Sequence, residues 1–409
     1  MGALTDKYCI VGVGETKFMK ASNRTPLSMA CEAVKHAMDD AGLAARDIDA
    51  ITSFQIGDST DVANVAQALG IRMNYGSVAF SGGSTTEALV AHAIGLIEGG
   101  YCNTVAFFRS MNGRTGRRMG GQAPGGIVPP SRAEGDGQFY LPWGFTTPAQ
   151  HFAPSAMRYL RDFGASTKSF AEVATAFRYH AGLNPKALLR APMSIEDHQR
   201  SRWVAKPFRL LDCCLETDVA AAFIVTSRER AYDLRQPPVY IMGGSARTYA
   251  DNPAWNHSRP RTYIQAGNYA RQRVWGMSGI RPQDIDVLSV YDAFTYTVIL
   301  QLEAYGFCGI GEAAEFVKGG RLRIDHELPT NLSGGHLSEG YAHGLALVNE
   351  VVRQLRHRAD DTCPGWGQGK HSYDRQAGCR QVRDARFGAS LGWGTETRGS
   401  SLILRSISA

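Results

Sequence analysis

Residues 278–291 read SGIRPQDIDVLSVY, and residues 41–54 read AGLAARDIDAITSF. Both leave a helix pattern at a glycine, pass through a polar linker containing Asp-Ile-Asp, and enter an apolar strand. Gly42 and Gly279 suit the left-handed position that closes a helix. The segments upstream echo each other too. YCIVGVGETKF, from Tyr8, matches VYIMGGSARTY, from Val239, as a buried strand running into glycine. A repeat offset by roughly 240 residues makes each copy a domain, not a solenoid unit. Strands alternating with helices make the class α/β. The boundary is expected at RQPPVY, where paired prolines stop any helix, giving halves 1–235 and 236–409. The first half carries extra material. From about 109 to 210 the text turns Gly-, Pro- and Arg-rich and then helical, which reads as a lobe inserted over the active site.

Composition excludes several classes. The chain has 409 residues, 44% hydrophobic and 20% charged, which suits a globular protein with a large interior. No apolar run reaches the length of a membrane span. The N-terminus enters a strand without the basic region, apolar core and cleavage site of a leader, so a cytoplasmic location is expected. A net charge of +6, from 44 basic and 38 acidic residues, is too mild and scattered for nucleic acid, but suits an anionic small molecule. The densest basic cluster is RSMNGRTGRRMGG, with Arg109, Arg114, Arg117 and Arg118. It reads either as a solvated loop or as a phosphate-binding site. The eight cysteines form no CxxC pair, so no metal site is expected; Cys363, Cys379 and His371 are a weak zinc signal.

Two glycine-rich segments open apolar helices: FSGGSTTEALVAHAIGLIEGG (80–100) and SGGHLSEGYAHGLALVNEVVRQL (333–355). Helices apolar all round belong in a core, and their N-termini offer free N–H groups to developing negative charge. The residues at their mouths are Gly82, Gly83, Ser84, Gly335, His336, Ser338, Glu339, Tyr341 and His343. Packing by small residues does not account for so many polar groups there.

These segments resemble the thiolase superfamily, in particular its sterol-carrier-protein-x, or lipid-transfer-protein, branch. LPTNLSGGHLSEGYAHG (328–344) is similar to that branch's LPVNTSGGLLSKGHPLG, and VLSVYDAF (287–294) to its HDCF segment. AKPFRLLDCCLETDVAAAF (205–223) is similar to its PLRLLDCC run. The resemblance spans nearly the whole chain. It implies the thiolase fold: two pseudo-repeated βαβαβαββ halves in five α-β-α-β-α layers, with a loop domain inserted in the first.

The departures concern chemistry. The family's nucleophilic cysteine falls at Ser81 or Gly82, its GHP histidine at Tyr341, and the histidine of HDCF at Tyr291. A second cysteine, expected within LGWGTETRGSSLIL (391–404), is absent. This pattern resembles the thiolase-like aldolases of bacterial steroid side-chain degradation. The resemblance implies a retro-aldol cleavage of a β-hydroxyacyl-CoA to a ketosteroid and propionyl-CoA. Tyr291 and Tyr341 would then be acid and base, with the thioester as substrate and no cofactor. Because tyrosine ordinarily ionises near pH 10, His336 and His343 are candidates to lower it, or the hydroxyls relay a proton. Asp292 reads as a structural acceptor, and Glu339 as surface charge or partner contact. The resemblance also implies a homodimer and a small partner built from an OB-fold and a zinc ribbon. An inactive acyl-CoA-binding scaffold and an acyltransferase using Ser81 stay open on the residues alone.

Overall fold

The computed structural model describes residues 2, 4–116, 118, 141–250, 261–359, 380–395 and 397–409. In the first half, β1 (Tyr8–Glu15), α1 (Pro26–Ala41), β2 (Ala50–Gln55), α2 (Val62–Leu69), β3 (Tyr75–Phe80), α3 (Thr86–Glu98) and β4 (Thr104–Asn112) follow in turn. An excursion then holds α4 (Pro148–Asp162), α5 (Lys168–Leu183), α6 (Ile195–Arg200) and the hairpin β5 (Trp203–Ala205) and β6 (Phe208–Arg209). β7 (Asp218–Ser227) and the short α7 (Arg228–Ala231) bring the chain back to the sheet. The second half is β8 (Val239–Tyr249), α8 (Ala266–Ser278), β9 (Val287–Val290), α9 (Thr295–Tyr305), α10 (Ala313–Phe316), α11 (Gly335–Ser338), α12 (Leu345–Leu355), β10 (Phe387–Thr395) and β11 (Arg398–Arg405).

The strands run in the order β3-β2-β4-β7-β1-β8-β11-β10-β9. Each half repeats one pattern outward from the centre. β1 pairs antiparallel with β7, β7 with β4, and β4 lies parallel to β2, which lies parallel to β3. In the second half β8, β11, β10 and β9 take the same places, and a parallel bridge from Leu288 to Thr330 replaces the outermost strand. The halves meet where β1 pairs with β8 through Cys9 with Tyr240 and Ile10 with Val239. α3 and α12 both pack against strands of both halves and form the middle layer. α1 covers the outer face of the first half, and α8 that of the second. This is the five-layered thiolase fold.

The repeated Asp-Ile-Asp motif has one physical job, done twice. α1 and α8 end at Gly42 and Gly279, with φ of 76° and 74°. The first aspartate of each motif then caps a one-turn helix: Asp47 accepts from Ala44 N and Asp284 from Arg281 N, both at 2.8 Å. The second aspartate holds the start of a neighbouring strand. Asp49 Oδ1 accepts from Asn103 N and Thr104 N at 2.9 and 2.8 Å, and Asp286 Oδ2 from Arg386 N and Phe387 N at 2.8 and 2.9 Å.

The excursion clamps the glycine-rich loop of the second half. Arg178 Nε donates to Ser338 Oγ (2.9 Å), Asn184 Nδ2 to Ser333 O (2.9 Å), and Leu188 N and Leu189 N to Glu339 O and Ser338 O. Arg109, expected in a basic loop, is instead a fully buried residue of β4, which runs on to Asn112 before the excursion begins. No helix among the described residues is long and apolar enough to cross a membrane. Substituting Asp286 by alanine strips two backbone N–H groups of a charged acceptor. The expected loss is about 2 kcal/mol in equilibrium denaturation, and a loss under about 0.5 kcal/mol would contradict the anchoring role.

Candidate active site

Tyr291 follows β9 directly, and its amide donates to Leu391 O at 2.9 Å, which continues the strand by one residue. Its carbonyl accepts from Thr297 Oγ1 and Gln301 Nε2 at 2.8 and 2.9 Å. The next residue, Asp292, accepts from His336 N (2.9 Å, Oδ1) and Leu337 N (3.1 Å, Oδ2), so the end of β9 is tied to the first turn after the double glycine. Gly335, at φ 59°, can be nothing else: a Cβ there would lie 2.3 Å from Asp292 Oδ2. Burial pushes the Asp292 carboxyl up to about 8, against the two N–H groups that favour its anion.

The second glycine-rich helix is not continuous. It forms one turn, α11, breaks over 339–344, and restarts as α12 after Gly344. Tyr341 and His343 sit in the break. Thr217 brackets Tyr341, its Oγ1 accepting from Tyr341 N and donating to Tyr341 O, each at 2.9 Å. This brings the Tyr341 hydroxyl to 2.5 Å from that of Tyr291. Both rings are buried, at 4% and 3% exposure.

The electrostatics reverse one expectation. Burial, followed for Tyr291 by its tyrosine neighbour and for Tyr341 by Cys214, pushes both phenols well above 10, so neither is poised as a phenolate. Nor are the histidines cations. Burial lowers His336 to about 3, and burial plus the Arg109 charge lower His343 well below its ordinary value. His336 packs edge-on to both tyrosines, with ring centroids 4.8 and 4.9 Å away, and its Nε2 accepts from Gly344 N at 3.2 Å. Its Nδ1 lies 3.2 Å from Asp292 Oδ1 but out of line for a hydrogen bond.

The positive charge comes from Arg109. Its NH2 meets Asp58 Oδ2 at 2.5 Å, its NH1 donates to Ser110 O, and its Nε and NH2 both lie 3.2 Å from His343 Nδ1. Burial alone raises the Asp58 carboxyl, but Arg109, His343 and the Ile56 amide together outweigh it and hold the group below its ordinary value. Asp58 escapes a reading of the sequence as a functional residue, and Arg109 enters it only as a member of the basic cluster. The available signal was a lone arginine inside the apolar run TVAFFRSMN.

A family model described as "Thiolase C-terminal domain-like" matches residues 250–364. The chain is 41% identical over 359 residues to the 17-hydroxy-3-oxo-4-pregnene-20-carboxyl-CoA lyase of Mycobacterium tuberculosis, covering 86% of this chain and 92% of that one. It is 38% identical over 366 residues to the steroid side-chain-cleaving aldolase of Thermomonospora curvata, covering 87% and 92%. A solved structure of an Ltp2-ChsH2(DUF35) aldolase superposes with a TM-score of 0.86 at 34% identity over 99% of both chains. The chain belongs to the family of thiolase-like steroid side-chain-cleaving aldolases.

In this family member the turn before α3, residues 81–85, contains no cysteine. A Cβ on Gly82 would meet His343 Nε2 at 3.5 Å and nothing else, so the direction a side chain would take is open space beside that nitrogen. Ser81 is 7% exposed at the end of β3, and its amide is bound to Gln55 O. Ser84 Oγ is buried without a hydrogen-bond partner. Glu339 is neither surface charge nor an open contact. It is 4% exposed, accepts from Asn184 Nδ2 at 3.0 Å, and is pushed up to about 8 by burial and by Glu15. Arg114 and Arg118 are half-exposed and both face Glu216, at 3.6 and 2.5 Å; Arg117 lies outside the described residues. So do Cys363, His371 and Cys379. Among the described residues no group of three or more His, Cys, Asp and Glu is placed to hold a metal.

Gly83 is the tightest point of the site. A Cβ there would lie 2.2 Å from Tyr291 Cε2 and Cζ and 2.5 Å from Trp393 O. Gly83→Ala therefore pushes the Tyr291 ring off Tyr341. Turnover should fall at least about 100-fold, as expected for a displaced catalytic group, while Gly82→Ala folds normally. Equal and near-wild-type turnover in both variants would contradict this placement.

Proposed function

We propose that this chain is a carbon–carbon lyase, a retro-aldolase that cleaves the β-hydroxyacyl-CoA of a steroid side chain to a ketosteroid and propionyl-CoA. The observation that carries the reading is the Tyr291–Tyr341 hydroxyl contact in a buried site, with no cysteine in the turn before α3 where thiolases place a nucleophile. The names of the two relatives compared above agree with it.

The reaction needs one net proton transfer, from the β-hydroxyl to the α-carbon. The base end of the tyrosine pair receives the hydroxyl proton as the β-carbon becomes a ketone. The electrons of the breaking carbon–carbon bond pass into the thioester as an enolate. The other end of the pair delivers its proton to the α-carbon. Two hydroxyls in direct contact pass a proton through without a free phenolate. This reconciles the raised pKa values of both rings with catalysis. No acyl-enzyme forms, and the coenzyme A thioester is substrate, not cofactor.

The same reading includes a division into 1–235 and 236–409, with the lobe at about 109–210, supported by the strand that starts at Val239. It includes Gly82, Gly83, Ser84, Gly335 and the two histidines as lining of the site. It places coenzyme A near Arg114, Arg117 and Arg118; Arg114 and Arg118 are half-exposed and share Glu216, while Arg117 lies outside the described residues. It includes a homodimer, supported by the open outer edge of β3 and by Phe80, which is 79% exposed. A small partner with an OB-fold and a zinc ribbon, and a cytoplasmic location, complete it; the ChsH2(DUF35) component in the name of the superposed structure supports the partner.

Tyr291→Phe and Tyr341→Phe test the reading, assayed with the co-expressed partner on a tertiary β-hydroxyacyl-CoA. Each should lower kcat by roughly 10²–10⁴-fold, the usual range for general acid–base catalysis, with little change in KM because the ring stays. Near-wild-type turnover in both would instead favour a scaffold without this chemistry.

A further inference from the structure

We propose that His343 is a catalytic residue whose Nε2–H binds the thioester oxygen as it becomes an enolate, and that Arg109 and Asp58 are positioning residues that fix the tautomer. The proposal rests on the retro-aldol reading above.

The tautomer follows from which groups can donate. Arginine has only donors, and two of its N–H groups, on Nε and NH2, point at His343 Nδ1 from 3.2 Å. Nδ1 must therefore present its lone pair, and the proton of the neutral ring resides on Nε2. Asp58 holds the guanidinium in that orientation through the same NH2 that faces His343. Phe54 packs against the ring with centroids 5.4 Å apart, and Thr86 Oγ1 donates to the His343 carbonyl at 3.2 Å. Nε2 itself has no hydrogen-bond partner among the described residues. It faces the space that a side chain at position 82 would fill, 3.5 Å from an ideal Cβ. The Tyr341 ring centroid is 5.1 Å from that of His343, so the free N–H stands beside the proton relay.

His336 shows the contrast. Its Nε2 is occupied as an acceptor from Gly344 N, so its proton is on Nδ1, turned towards Asp292. Of the two histidines, His343 alone presents a free N–H to the space above Gly82. The backbone supports the choice. His343 has φ of 55°, a left-handed conformation that a side chain with a Cβ adopts at a cost. In the step itself the carbon–carbon electrons end on the thioester oxygen. The Nε2–H hydrogen bond holds that charge without transferring its proton, and the α-carbon proton comes from the tyrosines.

Glutamine carries an N–H where Nε2 lies, and asparagine carries its amide where Nδ1 lies. With the partner co-expressed, His343→Asn and His343→Ala should lose about 10²–10³-fold in kcat with KM nearly unchanged, as for loss of one oxyanion donor. His343→Gln should recover to within about tenfold of wild type. In the substrate-free protein, ¹⁵N-histidine spectra should show His343 protonated on Nε2, and Arg109→Gln should abolish that single-tautomer signature. A His343→Gln variant as slow as His343→Asn with the fold intact, or a wild-type ring protonated on Nδ1, would overturn the proposal. Loss of turnover in the Tyr→Phe variants but not in His343→Asn would overturn this inference alone. Retention in the tyrosine variants would overturn the reading beneath it.

Discussion

The site depends on one buried carboxyl group. Asp292 accepts two consecutive amides, those of His336 and Leu337, and so fixes the end of β9 against the turn that follows Gly334 and Gly335. Tyr291 precedes that carboxyl by one residue, and Tyr341 follows the capped turn by three. Without the tie, the two hydroxyls have no common frame. Asn331 reinforces it from the side, its Oδ1 accepting from Val290 N at 2.7 Å and its Nδ2 donating to Val290 O at 2.9 Å. The amides of Val290 and Tyr291 are thus both occupied, and the strand cannot slide without breaking them.

Around this frame the site is built from groups kept neutral. Both phenols are raised and both histidines lowered, in every case chiefly by burial. The ion pair of Arg109 and Asp58 stands behind His343, not in front of it. A buried site of oriented but uncharged donors suits a reaction whose negative charge appears only transiently, because fixed dipoles need not reorganise as it forms. A thiolase needs a nucleophile that forms and releases an acyl bond. Here that place, at Ser81 or Gly82, holds no cysteine, and Gly83 lets Tyr291 approach the turn before α3 closely.

Much of this was legible in the sequence because it is local or repeated. Gly42 and Gly279, and the aspartate pairs after them, announce the two halves, since the same short text must make the same caps twice. Tyr291 and Tyr341 were legible because the glycines and Asp292 around them keep the spacing of a known motif. What stayed hidden depends on distant partners. Arg109 looked like one member of a basic loop, because nothing local says that Asp58 and His343 neutralise and orient it. Glu339 looked exposed because Asn184, far along the chain, is what covers it. The break between α11 and α12 was masked by an apolar pattern that continues through it. The turn is forced by left-handed backbone at His343 and Gly344, φ 55° and 100°, and periodicity does not register this.

The central claim is that carbon–carbon cleavage here proceeds by proton relay with no covalent intermediate. Intact mass spectrometry of the enzyme, quenched while it turns over a steroid β-hydroxyacyl-CoA with its partner present, tests this most directly. The account predicts that ketosteroid and propionyl-CoA accumulate together while the protein keeps its unmodified mass. An acyl adduct that forms and decays at the rate of turnover would contradict it and restore a nucleophile to the site.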